Sequence, residues 1–123
     1  GVGYPSECMR DVVNAVGPAR AKELFFTARR LKSDEALAIG LLARVVGVEA
    51  FESEIAALAS TIAANAPLTL RAAKAAVNAV TGDADPVTWE RVRALTDACF
   101  ASEDFKEGRT AFLEKREPTF RGR

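Results

Sequence analysis

Residues able to carry out chemistry are few in this sequence, and one type is absent. The 123 residues include no histidine, which excludes a histidine-based triad, histidine-ligated zinc and a histidine general base within the chain. The two cysteines, Cys8 and Cys99, are far apart and each falls in a helical pattern. We expect two buried, reduced thiols, because the sequence offers no partners for a disulfide or a metal site.

The stretch 102–123, SEDFKEGRTAFLEKREPTFRGR, gathers carboxylates, aromatic rings and cations in one short segment. Ser102 is predicted to cap a helix through its hydroxyl, and two acidic residues follow it at the positive end of the helix dipole. The helix would carry Phe112 on its apolar side and Lys115 near its end. Pro118 is predicted to terminate it.

Composition excludes several classes of protein. The chain has the length of one domain, with 49% apolar residues and 17 basic against 17 acidic side chains. A general nucleic-acid or anionic-membrane binder would carry a basic excess, so neither partner is expected. No apolar run approaches the roughly 20 residues that span a bilayer, and there is no signal-peptide pattern. We expect a cytoplasmic protein.

Apolar residues before Ser102 recur at helical spacing. From Val48 to Ile62 they are separated by steps of three and four, which is typical of a one-sided helix. Ser33 is predicted to cap a short helix that Gly40 ends, and Asp85 to cap a later one. Helices are predicted at 8–16, 19–27, 35–40, 48–62, 70–80, 86–99 and from 102 onward. Residues 41–46 are either a short strand or an extended connector.

Three segments carry a resemblance to a known family. The terminal stretch resembles the C-terminal signature of the enoyl-CoA hydratase/isomerase (crotonase) family, S-E-D-F-x-E-G-x-x-A-F-x-E-K-R-x-P-x-F-x-G-R. Residues 17–46, GPARAKELFFTARRLKSDEALAIGLLARVV, resemble its G-x-A-x-A-x-E-L-x-x-T-x-R-x-x-x-x-E-A-x-x-x-G-L-V segment. Residues 64–78, ANAPLTLRAAKAAVN, resemble its N-A-P-x-A-x-x-x-x-K-x-x-x-N helix. The three occur in the family's order and cover most of the chain.

The resemblance implies a mainly α chain, the helical C-terminal part of a crotonase-like (ClpP/crotonase) α/β spiral fold. The N-terminal ββα core of that fold would be missing. Residues 1–47 would be the end of the core region, with the helices that follow the catalytic loop. Residues 48–123 would form the C-terminal helical and oligomerisation region, which in this family supports trimers or dimers of trimers.

The family stabilises a thioester enolate in an oxyanion hole built from two backbone N–H groups. That segment, and the two glutamates that hydratases use to activate water, would lie upstream of Gly1. Glu7 is the one carboxylate here with a case for catalysis, since some family isomerases carry an acidic residue after a proline in this loop. It stands one residue later than usual, after Pro5. The alternative is a first-turn glutamate that interacts with the helix dipole.

Residues matching the family's coenzyme A contacts are Phe112 and Lys115. The resemblance implies that the ring encloses the adenine and the ammonium pairs with a phosphate. The alternatives are a core phenylalanine and a solvated lysine. Leu24, Phe25 and Phe26 match the helix that lines the family's acyl pocket, although such a group is also common in a plain core.

We therefore expect part of an enoyl-CoA hydratase that acts on an acyl-CoA thioester and hydrates a 2-enoyl-CoA, as in β-oxidation. Coenzyme A would be part of the substrate, with no separate cofactor and no metal. This chain alone is expected to be inactive. The alternatives are another reaction of the family, such as isomerisation or acyl-CoA hydrolysis, and a non-catalytic helical oligomerisation module.

Overall fold

The computed structural model describes residues 1–82 and 84–123, and within these ranges it contains seven α-helices, a single 3₁₀ turn and no strand. The prediction of a mainly α chain is confirmed. The helices are α1 (Ser6–Val16), α2 (Pro18–Thr27), α3 (Ser33–Ala38), α4 (Phe51–Ala63), α5 (Pro67–Thr81), α6 (Pro86–Phe100) and α7 (Glu103–Glu114). They divide between two compact units, Gly1–Phe51 and Glu52–Arg123. The functional division at 47/48 stays a prediction.

In the first unit α1 and α2 pack against each other. Gly17 joins them with φ +80°, a conformation that glycine adopts without steric cost, and Pro18 opens α2 with its fixed φ. Val16 and Ala21 are buried beside this joint. Tyr4 meets Phe25 edge to face, with ring centroids 5.0 Å apart. The result is a short helical hairpin whose angle is set by the Gly-Pro pair.

The N-terminal end of α3 differs from the prediction, whereas its C-terminal end agrees with it. The residue at its N-cap is Lys32, without a side-chain cap, so the expected capping role of Ser33 is wrong. The C-terminal end behaves as predicted: Gly40 has φ +82° and donates its N–H to the carbonyl of Leu37, while Leu41 donates to Ala36. Residues 41–46 that follow are an irregular connector, which excludes the strand alternative.

In the second unit α5 and α6 form a packed antiparallel pair. Their contact is made by small side chains, since Ala72, Ala79 and Val92 are buried. Small residues let helix axes approach closely, so the alanines allow α5 and α6 to pack tightly. Asp85 caps α6 as predicted, accepting the Thr88 N–H at 2.7 Å.

Several large apolar side chains on these helices and on α4 are exposed instead of lying in the helix–helix contacts. Val77 and Val80 on α5 are 60% and 71% exposed. Trp89 on α6 also remains exposed. The apolar stripe of α4 is exposed along its whole length, and α4 makes at most marginal contact with the other described helices. The packed faces are therefore those of the alanines.

Helix α7 begins and ends through specific local interactions. Ser102 caps it as predicted, accepting the N–H of Phe105 at 3.0 Å. The helix stops at Glu114, before the predicted end at Pro118. Lys115 takes the left-handed conformation with φ +55°, and the next residue donates its N–H to the carbonyl of Ala111. This is the hydrogen-bond pattern of a Schellman motif, with a lysine in the position that usually holds glycine.

Candidate functional site

A groove of about 630 Å³ lies in the second unit between α5, α6, α7 and the tail. Its floor is the alanine-rich side of α5, and four phenylalanines contribute to its walls. These are Phe100, Phe105, Phe112 and Phe120. The volume lies within the range of small-molecule sites. The groove thus offers a broad apolar surface with aromatic walls.

One face of α7 supplies the chemically distinctive part of this groove. Phe105, Arg109 and Phe112 follow each other at helical spacings of four and three, so they share a face. The guanidinium carbon of Arg109 lies 6.0 Å from the centre of the Phe105 ring, at the limit of a cation–π contact. Phe112 is 82% exposed. The face therefore presents an open aromatic ring beside a cation.

Arg109 was missed by the sequence reasoning, which assigned the cationic partner of Phe112 to Lys115. The spacing of three between Arg109 and Phe112 was the available signal. Lys115 instead lies beyond the end of α7, exposed and in the left-handed turn, and it is not among the residues that line the groove. Lys115 does not continue the helical face that carries Phe112, because the helix ends at Glu114.

The turn that contains Lys115 is anchored by an ion pair. Arg116 binds the carboxylate of Glu107 with both terminal nitrogens, at 2.7 and 2.9 Å, and its Nε contacts Glu114. Glu107 also accepts the N–H of Thr119 at 2.8 Å. Hydrogen bonds from Arg116 and Thr119 lower the pKa of Glu107 to about 2. Hydrogen bonds to Glu107 and Glu114 raise the already high pKa of Arg116.

The tail is held by a buried carboxylate. Asp104 is 5% exposed and accepts the N–H groups of Arg121 and Gly122, each at 2.7 Å. Its own N–H donates to the carbonyl of Arg123 at 3.1 Å. Together with the Glu107 interactions, these bonds fold the tail back along α7. We call Asp104, Glu107 and the tail groups they bind the C-terminal clasp.

The remaining predicted site residues lie in the first unit. Glu7 is exposed in the first turn of α1. Leu24 and Phe25 are half-buried, whereas the next ring on α2, that of Phe26, is 82% exposed. Phe25 packs on Tyr4, so it has a structural contact of its own. The roles of these residues in catalysis and in an acyl pocket stay predictions.

Both cysteines are free thiols, and Cys8 is exposed rather than buried as predicted. Cys99 is half-buried and its sulfur lies 3.3 Å from the carbonyl oxygen of Leu95. Across residues 1–82 and 84–123, no group of three or more acidic or cysteine side chains is arranged to hold a metal ion. No helix of the described part combines the length and apolar character needed to cross a membrane.

Comparison with known proteins gives a consistent result. The family model for enoyl-CoA hydratase/isomerase matches residues 3–123. Methylmalonyl-CoA decarboxylase of Escherichia coli is 37% identical over 99% of this chain and 48% of its own length. Crotonyl-CoA hydratase of Syntrophomonas wolfei is 42% identical over 85% of this chain and 40% of its own length.

Solved structures agree with the sequences. An enoyl-CoA hydratase/isomerase family protein from Hyphomonas neptunium superposes with a TM-score of 0.81 at 35% identity, covering 100% of this chain and 47% of its own. An enoyl-CoA hydratase subunit from Geobacillus kaustophilus gives 0.81 at 37% identity, with 97% and 46% covered. The chain spans about half the length, or less, of these relatives. The matched helices, the family model and the sequence identities together show that this chain belongs to the enoyl-CoA hydratase/isomerase family.

Proposed function

We propose that this chain is the helical part of an enzyme that acts on an acyl-CoA thioester, and that the reaction is the hydration of a 2-enoyl-CoA. Two kinds of relative support the substrate class: one is named crotonyl-CoA hydratase, another short-chain-enoyl-CoA hydratase. Both are more than a third identical to this chain. Hydration is the simplest interpretation of these names.

Within this proposal the chain binds the substrate and contributes little to the bond changes. Addition of water across the double bond needs donors that stabilise the enolate oxygen and carboxylates that move protons. The family resemblance puts the oxyanion hole and the principal glutamates outside these 123 residues. We propose that the 123 residues alone do not hydrate crotonyl-CoA. Glu7, exposed at the start of α1, remains a secondary acid or base candidate.

The observation that carries the proposal is the open ring of Phe112 at the edge of an apolar groove with cations nearby. A purine can stack on an exposed phenylalanine, and its phosphates can pair with an ammonium or guanidinium group. We assign the stacking to Phe112 and the phosphate contacts to Lys115, with Arg109 as an additional cation. Leu24, Phe25 and Phe26 would line the acyl pocket.

We propose that Phe112 also serves a neighbouring subunit. It and Leu113 are exposed side by side near the end of α7. A homotrimer or a dimer of trimers would cover these side chains and the exposed stripe of α4, as would the rest of a longer polypeptide. We propose such an assembly, in the cytoplasm.

A second candidate reaction is favoured by one specific relative. The methylmalonyl-CoA decarboxylase of Escherichia coli matches 99% of this chain at 37% identity. Loss of CO2 from the carboxylate that methylmalonyl-CoA carries next to its thioester also leaves a thioester enolate, so the same oxyanion hole would serve it. Isomerisation, thioester hydrolysis and a purely structural role as a helical oligomerisation module would fit the same fold. Assay of the full-length enzyme with crotonyl-CoA and methylmalonyl-CoA separates hydration from decarboxylation.

The binding role is tested by Lys115→Ala in the full-length enzyme. A phosphate contact remote from the reacting carbons is equal in the ground state and the transition state. Its loss should raise KM about tenfold, or ~1.4 kcal/mol, and leave kcat nearly unchanged. The effect should shrink at high salt, because a partly solvated ion pair is screened.

The matched control is Lys106→Ala, which removes an exposed lysine from α7 and should leave KM unchanged. Lys115→Gly is a second variant: it removes the ammonium but favours the left-handed turn. An unchanged KM at low salt in both Lys115 variants would exclude this role, as would a collapse of kcat at constant KM.

A further inference from the structure

The opposite side of the α5–α6 pair carries a second groove, of about 510 Å³, whose charged lining is entirely basic among the described residues. Arg71 and Lys74 reach it from α5 and Arg91 from α6, and none of the lining residues that the structure describes is Asp or Glu. Among the described residues, it shares none with the groove that Phe112 lines. We refer to it as the basic groove.

Spacing along the two helices explains why these cations converge. Arg71, Lys74 and Asn78 follow one another at intervals of three and four on α5, so they lie on one side of that helix. Leu95 lies four residues after Arg91 on α6. Because α5 and α6 are packed against each other, the two sides open onto the same space.

The three cations have no anionic partner in the part of the chain that the structure describes. Other cations of the protein do: Arg29, Lys106 and Arg116 each pair with a glutamate at 2.6–2.7 Å. Within residues 1–82 and 84–123, the side chains of Arg71, Lys74 and Arg91 form no ion pair or hydrogen bond. Since the whole chain is electrically neutral, three converging cations in one groove are a local feature that would attract an anion.

We propose that the basic groove binds an organic phosphate of about the size of a nucleoside diphosphate. Guanidinium groups match phosphate oxygens in a two-pronged geometry, and the ammonium of Lys74 adds a point charge. The amide of Asn78 supplies a further donor. Leu95 and the neighbouring small apolar residues form a wall against which the non-phosphate part of the ligand packs.

A small molecule fits this groove better than a nucleic acid does. Nucleic-acid binding faces carry an extended basic track, usually within a domain of high net positive charge. Here three side chains supply the charge that the described lining residues carry, and the chain as a whole is neutral. The proposal stands apart from the acyl-CoA site, because it involves neither Phe112 nor Lys115.

The test is isothermal titration calorimetry of the full chain with ADP and, separately, with inorganic pyrophosphate. Both are expected to bind, with an affinity that falls as salt is raised. Arg91→Ala and Lys74→Ala should each weaken binding roughly tenfold, as expected for loss of one charge-assisted contact. Tighter binding of ADP would show that the apolar wall holds the organic part. Equal affinities would limit recognition to the phosphates.

Arg93→Ala is the matched control, since Arg93 is an exposed arginine on the same helix that does not line the groove. Arg93→Ala should leave the affinity for both probes unchanged. Phe112→Ala separates the two grooves: it removes the ring assigned to the adenine of an acyl-CoA, so it should leave the affinity for pyrophosphate, which has no ring to stack, unchanged. Circular dichroism checks that the variants fold, and Lys74→Gln, at an exposed position, replaces any variant that does not.

Several results would overturn the proposal. One is the absence of binding of either probe at millimolar concentration. Another is an equal loss for Arg93→Ala and Arg91→Ala. Loss of ADP binding in Phe112→Ala but not in Arg91→Ala would assign the binding to the acyl-CoA groove instead. A single-stranded oligonucleotide that binds more tightly than ADP would assign the surface to nucleic acid.

Discussion

Helices α4 and α7 lie largely or wholly in the same unit, but their surroundings differ: polar interactions fix α7, whereas the apolar stripe of α4 is exposed. Helix α7 is fixed by polar groups: Ser102 caps it, and the C-terminal clasp ties the tail along it. Helix α4 presents an apolar stripe that includes Ile55 and Leu58, and that stripe is exposed. In a polar network every bond specifies a geometry, whereas an apolar stripe specifies only that something must cover it. The first region is self-sufficient and the second is suited to a further surface.

Removal of the Asp104 carboxylate breaks the clasp and is the largest effect we expect. Asp104→Ala leaves two N–H groups, those of Arg121 and Gly122, without their acceptor in a partly buried setting. The free energy of unfolding should fall by ~3 kcal/mol, as measured by urea denaturation. Glu103→Ala removes an exposed neighbour and should cost less than about 1 kcal/mol, the value of a surface pair. Equal losses in the two variants would contradict the role of the clasp.

Titration of Glu107 tests whether the ionised carboxylate in the C-terminal clasp stabilises the fold. Its pKa is lowered to about 2 in the folded protein from an ordinary value of 4.5. The folded state therefore resists protonation of this group, and its contribution to stability is present above pH 4.5 and lost as pH falls towards 2. The melting temperature of the wild type should exceed that of Glu107→Gln at about pH 7, and the gap should close by about pH 2. A gap that does not vary with pH would exclude the ionised pair with Arg116 as its cause.

The smallest effect on folding is expected from the stripe of α4. The double variant Ile55→Ser, Leu58→Ser removes exposed apolar surface that is not packed on another described helix, so the free energy of unfolding should change by less than about 1 kcal/mol. Self-association and binding of a hydrophobic dye should both decrease. Ser60→Ala, an exposed polar change on the same helix, should affect neither. A wild-type chain that is monomeric in light scattering and binds no dye would refute the stripe as an association surface.

Local signals in the sequence predicted local structure well. Ser102 and Asp85 were recognised as caps because a cap depends on one side chain and an N–H three residues later. Gly40 was recognised as a stop because glycine adopts positive φ freely. The predicted capping role of Ser33 was wrong because that helix begins after Lys32 without any side-chain cap.

Features that depend on distant residues were not predictable from pattern. The burial of Asp104 requires a tail 17 and 18 residues further along the chain to fold back. The left-handed conformation of Lys115 runs against residue preference, so helix signals placed the end too late. Because the helix end was predicted too late, the sequence did not reveal that Lys115 lies off the helical face of Phe112. The packing of α5 through alanines rather than valines depends on what α6 presents to it.

The clasp also limits how readily a protease can cleave the tail. The bond between Arg121 and Gly122 has the sequence that trypsin cleaves, yet the N–H of Gly122 is bound to Asp104 at 2.7 Å. A protease must draw several residues into an extended conformation, and here that requires the carboxylate to release its partners first. Cleavage at this bond therefore proceeds through an opened minority of molecules, and its rate reports how often the tail detaches from α7.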